Sequence, residues 1–316
     1  MISKIRKINK VFVFFILFIL SYTFLFAEQG TTSAAFLKLD AGVRPVAMGG
    51  AFTGAADDVN AIMYNPAGLA QLKNIEATLM HSFWFVSIFY DYLAIAYPAG
   101  EIGTFALSFV YVNSGGIPKT DILGADLGEF LANDINFNIG YGTNINKELS
   151  LGITIKLFNE SIDDIGAFGF AADVAAIYKL PIKDLQMGFV AQNLGPKFGF
   201  GEAFWLPIMF KIGFSYTGIR NMMLNLDYMQ PIETYGILAF GMEYWYRDLL
   251  VVRLGYRFQG KFDLNEWYEN YSGPDIMAGL VLGAGIKIDM YELDYAFRQF
   301  GVLENTHRVG LTFKFK

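Results

Sequence analysis

The chain has 316 residues, of which 54% are hydrophobic and only 17% are charged. A soluble domain carries about 25% charged residues to wet its surface, so an ordinary water-facing globule is excluded and a bilayer accounts for the deficit. Cysteine is absent, which removes disulfides and thiolate metal sites, and the net charge of −6 excludes nucleic acid as a partner, because phosphate contacts need a basic surface.

Residues 1–27 read as a signal peptide. Lys4, Arg6, Lys7 and Lys10 precede an apolar run from Val11 to Leu20, loosely extended to Phe26, with Ala27 as the cleavage position. That run is shorter than the ~20 apolar residues of a spanning helix, and nothing after it reaches that length. A chain that enters a membrane without such a helix must do so as a closed barrel, since an open sheet leaves backbone groups unpaired in lipid.

Residues 28–74 are expected to form a plug, or hatch. Gly and Ala dominate them, and Gly42, Gly49, Gly50 and Gly54 interrupt any long helix, so the segment can thread a narrow lumen. Asn65-Pro66-Ala67-Gly68 has the chemistry of a turn: Pro66 fixes its own φ and biases Asn65 toward an extended backbone, while the Asn side chain bonds neighbouring amides. Such a turn either moves during transport or only orders the plug. Gly49-Gly50 superficially resembles a phosphate cradle but lacks the Lys-Ser/Thr pair. Asp57-Asp58 reads as a solvated helix end rather than a cation site.

From residue 75 to 316 the period changes to two. Ile208, Phe210, Ile212, Phe214 and Tyr216 oppose Met209, Lys211, Gly213, Ser215 and Thr217; the same alternation recurs in 135–142, 149–157, 252–258 and 308–315. Repetition of this dyad pattern predicts an all-β transmembrane antiparallel barrel. About fourteen strands are expected, starting near residues 75, 89, 103, 134, 149, 168, 185, 208, 222, 235, 249, 276, 291 and 306. Tight connections (144–147, 181–184, 217–221, 247–248, 289–290) alternate with long ones (114–133, 193–207, 260–275), as the two rims of a barrel require. The plug and both termini are then expected at the short-turn rim. Tyr90, Tyr92, Tyr97, Tyr111, Tyr228, Tyr244 and Tyr291 are expected at headgroup depth.

The inward faces carry both charge signs: Lys156, Asp173, Lys211, Asp227, Glu243, Arg247, Arg253, Arg257, Asp289, Glu292, Asp294, Arg298 and Arg308. These residues build a wet lumen of ion pairs or steer an acidic or polar solute. Asn113, Ser114, Gly115 and Gly116 end the third strand and are the candidates for an opening through the wall, since Gly weakens strand pairing. His81 and His307 are the only histidines; neither sits in metal-ligand spacing, and no nucleophile, base and oxyanion donor assemble. Neither an enzyme nor a cofactor is expected.

The stretch 42–70, with Ala47-Met48-Gly49-Gly50-Ala51-Phe52, Ala56-Asp57-Asp58 and Tyr64-Asn65-Pro66-Ala67, together with the terminal strand through Thr306-His307-Arg308, resembles the FadL/PorV-like outer-membrane superfamily. The likeness is strongest to its shorter, PorV-type members. This resemblance implies a fourteen-stranded barrel in the bacterial outer membrane, placed there by the barrel-assembly machinery, with the N-terminal segment inside as a hatch. FadL-type members take up long-chain fatty acids or other hydrophobic compounds by diffusion; PorV-type members serve protein secretion, which would require a secretion-system partner. The chain is shorter than a typical fatty-acid transporter and ends in Lys316, with Phe315 one place before the usual terminal aromatic.

Overall fold

The computed structural model describes residues 30–84, 88–259, 279–299 and 305–315. The expected signal peptide and the expected 260–275 loop lie outside them. The strands are β1 Glu76–Phe83, β2 Phe89–Pro98, β3 Thr104–Asn113, β4 Ile117–Thr120, β5 Asp126–Phe130, β6 Ala132–Asn144, β7 Leu149–Ile162 and β8 Ile165–Lys179. They continue with β9 Leu185–Leu194, β10 Met209–Ile219, β11 Met222–Pro231, β12 Ile237–Tyr246, β13 Leu250–Gln259, β14 Leu280–Ile288, β15 Tyr291–Gln299 and β16 Asn305–Lys314.

Fourteen of them close into one transmembrane antiparallel barrel, with β1 sealing against β16 from Glu76↔Lys314 to Phe83↔His307. Their starts agree with the expected ones to within four residues. What the sequence concealed is β4 and β5, a separate hairpin rising from the 114–131 connection. Its mixed polar composition carries no dyad signal, and neither strand joins the wall.

The period of two is the reason for the barrel. In β6, Ile135, Phe137 and Ile139 are 38–45% exposed on the lipid face, while Asn136 and Asn138 between them are almost fully buried in the lumen. Lipid thus receives the apolar row, and the polar row finds partners inside. No helix among the described residues is long and apolar enough to cross a membrane; the crossing is made by strands.

Residues 34–72 lie inside the lumen as short turns rather than long helices: a 3-10 turn Ala35–Lys38, α1 Val43–Ala47, α2 Ala61–Tyr64 and a second 3-10 turn Pro66–Gln71. They contribute about half of the buried apolar side chains among the described residues, including Met48, Phe52, Val59, Ile62 and Leu69. Here an expectation is corrected. The plug does not enter at the short-turn rim: Ser33 N–H donates to Trp205 O at 3.1 Å, in the long β9–β10 connection, and Lys38 pairs with Glu233 beyond β11. The plug therefore traverses the barrel from the long-loop rim before β1 starts at the other. An even strand count fixes where β1 and β16 meet, and leaves free the path of whatever precedes β1.

Candidate functional site

The plug fits because the wall facing it is bare. Inward positions on neighbouring strands are glycines: Gly142, Gly152, Gly188, Gly213, Gly241, Gly255, Gly283 and Gly310. A Cβ at Gly255 would stand 2.1 Å from Gly49 N, one at Gly188 2.0 Å from Thr53 O, and one at Gly152 2.2 Å from Ala67 N. Backbone lies directly on backbone there, as only glycine permits. The alternation put these glycines on the inner face, but their common role is visible only when the strands stand side by side.

Toward the short-turn end, Arg44 of α1 ties plug to wall. Its guanidinium donates to Glu243 on β12 at 2.8 and 2.9 Å, to Asp57 at 2.6 Å and to Asp58 at 2.9 Å. Burial by itself would lower the Arg44 pKa, but Asp57, Glu243 and Asp58 outweigh it and hold the group charged. Glu243 also accepts from Arg253 at 2.6 Å, and Arg253 reaches Glu292 and Asp294 on β15. Higher up, the carboxylate of Asp227 caps the plug backbone, accepting from Phe52 N at 3.0 Å and Thr53 N at 2.8 Å.

The long-loop side is built differently. Asp40 accepts from Arg257 at 2.5 Å and Arg298 at 3.2 Å. Burial alone would raise the Asp40 pKa, but Arg257 and Arg298 hold it below the ordinary 3.8. Arg308 and Lys211 lie near the same group. Beside them an apolar cluster joins Phe36 and Leu37 of the plug to Phe158, Ala171, Phe198 and Leu206 of the wall and the β9–β10 connection. Lys156 on β7 pairs with Asp173 at 2.9 Å and donates to Asn193 Oδ1 at 2.6 Å, fully buried, at the point where β9 turns away.

Of the expected luminal charges, Lys156, Asp173, Lys211, Asp227, Glu243, Arg253, Arg257, Glu292, Asp294, Arg298 and Arg308 do face inward. Arg247 and Asp289 do not: both sit in exposed two-strand turns with positive φ, 54° and 53°, because the tight hairpins need them for the reversal itself. Tyr90 and Tyr92 are also corrected. They point into the lumen, 1% and 2% exposed, and leave Asp91 on the outer face bonded to His81 at 2.6 Å. Asp58 is buried rather than solvated, 3% exposed and paired with Arg44.

Asn65 accepts from Ala67 N at 3.1 Å and donates to Thr53 O at 2.7 Å, so the Asn-Pro-Ala turn is held to the rest of the plug. Gly68 lies against Ala56, whose carbonyl oxygen would stand 1.9 Å from an added Cβ. Gly49 and Gly50 take φ of 68° and 79° where α1 ends. Asn113 and Ser114 are bonded across to β6, through Asn113 Nδ2 to Asn133 Oδ1 at 2.6 Å and Ala132 N to Ser114 Oγ at 2.9 Å, and the β3–β6 ladder runs unbroken to Asn113. Gly115 and Gly116 follow in the chain leaving for the hairpin. A shorter ladder is that of β8 and β9: it stops at Ala172↔Leu194, while β8 continues to Ile165. Among the described residues no group of acidic or His side chains is disposed to hold a metal.

Sequence reasoning missed Asp40 and Arg44. The few charges in a Gly- and Ala-rich stretch were the available signal, since such a segment inside a lumen retains charge only where a partner answers it.

Comparison with known proteins agrees with this architecture. The profile of an uncharacterised protein family (UPF0164) matches residues 26–119. No curated protein sequence matches the chain. Among solved structures, the Ralstonia pickettii toluene transporter TbuX superposes with a TM-score of 0.62 at 14% identity, covering 88% of this chain and all of that one. The Pseudomonas putida toluene transporter TodX gives 0.60 at 12%, covering 91% and 97%. A Pseudomonas aeruginosa FadL homologue gives 0.56 at 11%, covering 87% and 98%. At these identities the likeness speaks for the fold, and the fold is that of the FadL-type outer-membrane channels.

Proposed function

We propose that this protein is an outer-membrane channel that takes up small hydrophobic molecules by diffusion. The observation that carries this reading is the apolar cluster of Phe36, Leu37, Phe158, Phe198 and Leu206. It lies between plug and wall, on the long-loop side, where the β9–β10 connection folds against the plug. A polar pore has no need of such a patch, and a hydrophobic solute does. The cluster also adjoins the stretch of β8, residues 165–171, that has no β9 partner. A molecule held there has this unpaired stretch of the wall beside it, which makes the β8–β9 seam, rather than residues 113–116, our candidate for passage between lumen and bilayer.

The folds that this barrel resembles include toluene transporters, which supports a hydrophobic solute. Long-chain fatty acids belong to the same reading through their tails. We read the chain as a channel with no catalytic role.

Binding tests it: calorimetry with toluene and with oleate on the purified barrel, intact and as Phe158→Asn. Saturable binding that weakens at least tenfold in the variant is expected, with heat-modifiable gel mobility unchanged. Failure of the intact, folded protein to bind either ligand would overturn the uptake reading and turn attention to a secretion partner.

A further inference from the structure

Part of the barrel's outer face turns polar well short of the long-loop rim. In the register of β15, β16, β1, β2 and β3, one outward row is Tyr295, Val309, His81, Asp91 and Tyr111. The next row toward the long loops is Phe297, His307, Phe83, Phe89 and Asn113. The polar members are bonded among themselves and still reach the surface. His81 Nδ1 and Asp91 Oδ1 are 2.6 Å apart, with side chains 39% and 47% exposed. Tyr295 Oη and His307 Nδ1 are 2.7 Å apart, and Asn113 Nδ2 donates to Tyr111 Oη at 2.9 Å and to Asn133 Oδ1 of β6 at 2.6 Å. On the short-turn side of these rows, Leu79, Leu93 and Phe109 resume the lipid face.

The wall of β12 to β14 has no such break, and its outward residues are apolar or aromatic from end to end. Outside β13, Leu250, Val252, Leu254, Tyr256 and Phe258 run on for about 27 Å of strand, whereas outside β2 the run from Tyr97 stops at Asp91 after about 20 Å. With strands tilted by about 40°, that break stands ~15 Å above Tyr97, inside an apolar band normally ~25 Å tall. A carboxylate facing acyl chains there is costly, so a polar group from outside the barrel must meet it.

We infer that this outward patch on β15, β16, β1, β2 and β3 binds the sugar head of a glycolipid in the surrounding leaflet, whose acyl chains lie on Leu79, Leu93 and Phe109. Charge excludes an acidic head: among the described outward residues of these strands there is no Lys or Arg, so a phosphate finds no cation and is repelled by Asp91. Hydrogen bonding selects hydroxyls, because amides, phenols, imidazoles and one carboxylate together ask for a head that donates and accepts many times. Ring geometry suits a sugar. The His81 ring centre lies 4.3 Å from that of Phe83 and 6.3 Å from that of Phe89, and flat faces of this kind cover the C–H side of a pyranose while its hydroxyls reach the polar atoms between them. The polar rows run directly into an apolar one, and an amphiphile meets both where a free sugar meets only the first. A head drawn down to Asp91 also answers the shortened apolar band on this side.

The test places the intact barrel in nanodiscs of monoglucosyl diacylglycerol and phosphatidylglycerol, in equal amounts and with matched acyl chains, and counts the lipids that stay bound by native mass spectrometry. The glucosyl lipid is expected to be retained roughly fivefold over phosphatidylglycerol, about what one net hydrogen bond gives. Asp91→Leu and Asn113→Leu should each bring that ratio to about one, and Leu282→Ala on β14 should leave it unchanged. The first two exchange a polar for an apolar side chain on the lipid face, which a barrel tolerates, and heat-modifiable gel mobility verifies the fold of each. Equal retention of the two lipids by the unaltered barrel would overturn the site and leave the rows as an interfacial girdle. Retention of phosphatidylglycerol in preference would overturn the sugar assignment. A preference that survives both substitutions would overturn its place on these strands, and release of the glucosyl lipid by excess free glucose would overturn the lipid as its source.

Discussion

Replacing Gly255 by Ala isolates what the glycine-lined wall does. Gly255 keeps its ladder position between Gly241 and Val281 in the variant, so the barrel itself has no reason to open. The added Cβ would stand 2.1 Å from Gly49 N and 2.5 Å from Met48 C, where ordinary contact begins at 3.4 Å. The atoms it meets are plug backbone, which cannot rotate away as a side chain can. The plug must retreat by the shortfall of 1.3 Å at that point, and overpacking of this kind costs about 1–3 kcal/mol. One 1.4 kcal/mol step is tenfold, so the undocked plug should rise by roughly 5- to 150-fold. Planar-bilayer conductance reads this directly as more frequent openings, and limited proteolysis reads it as faster cleavage within residues 34–72. Gly166→Ala on β8 is the control, since its nearest neighbour to an added Cβ is 3.7 Å away. If Gly255→Ala and Gly166→Ala behave alike, the glycines do not shape the plug seat and the reasoning fails.

Arg44→Met should loosen the same plug by a different route. Breaking a buried ion pair costs about 3–5 kcal/mol when one partner is left behind; here Glu243 keeps Arg253 while Asp58 is stranded, so the low end, on the order of 10²-fold in plug release, is expected by hydrogen exchange of residues 43–64. The share of plug protection that Asp40 supplies, read as the difference between the wild type and Asp40→Asn, should be constant from pH 8 to pH 5. Asp40 is held below its ordinary 3.8, so its contribution is fully present above that value and is lost as pH falls through the lower folded one. Proteolysis of both proteins, titrated down to pH 3, checks this, and a difference between them that disappears near pH 6 would contradict the assignment of Asp40 as the tie.

The sequence by itself determined the barrel. Strand number, strand length, the lipid face and most of the luminal charges follow from period-two alternation, because each strand must satisfy lipid on one side whatever its neighbours are. The small-residue character of residues 34–72 likewise foretold that they could be enclosed. Only the tertiary structure decided which way the plug runs, since contacts such as Ser33 with Trp205 and Lys38 with Glu233 join residues some 170 to 200 positions apart. It also decided that Arg247 and Asp289 belong to turns, that Tyr90 and Tyr92 point inward, and that Asp40 and Arg44 anchor the plug. The plug's path and its anchors depend on what stands opposite a residue across the lumen, and alternation along one strand carries no record of the strand on the far side.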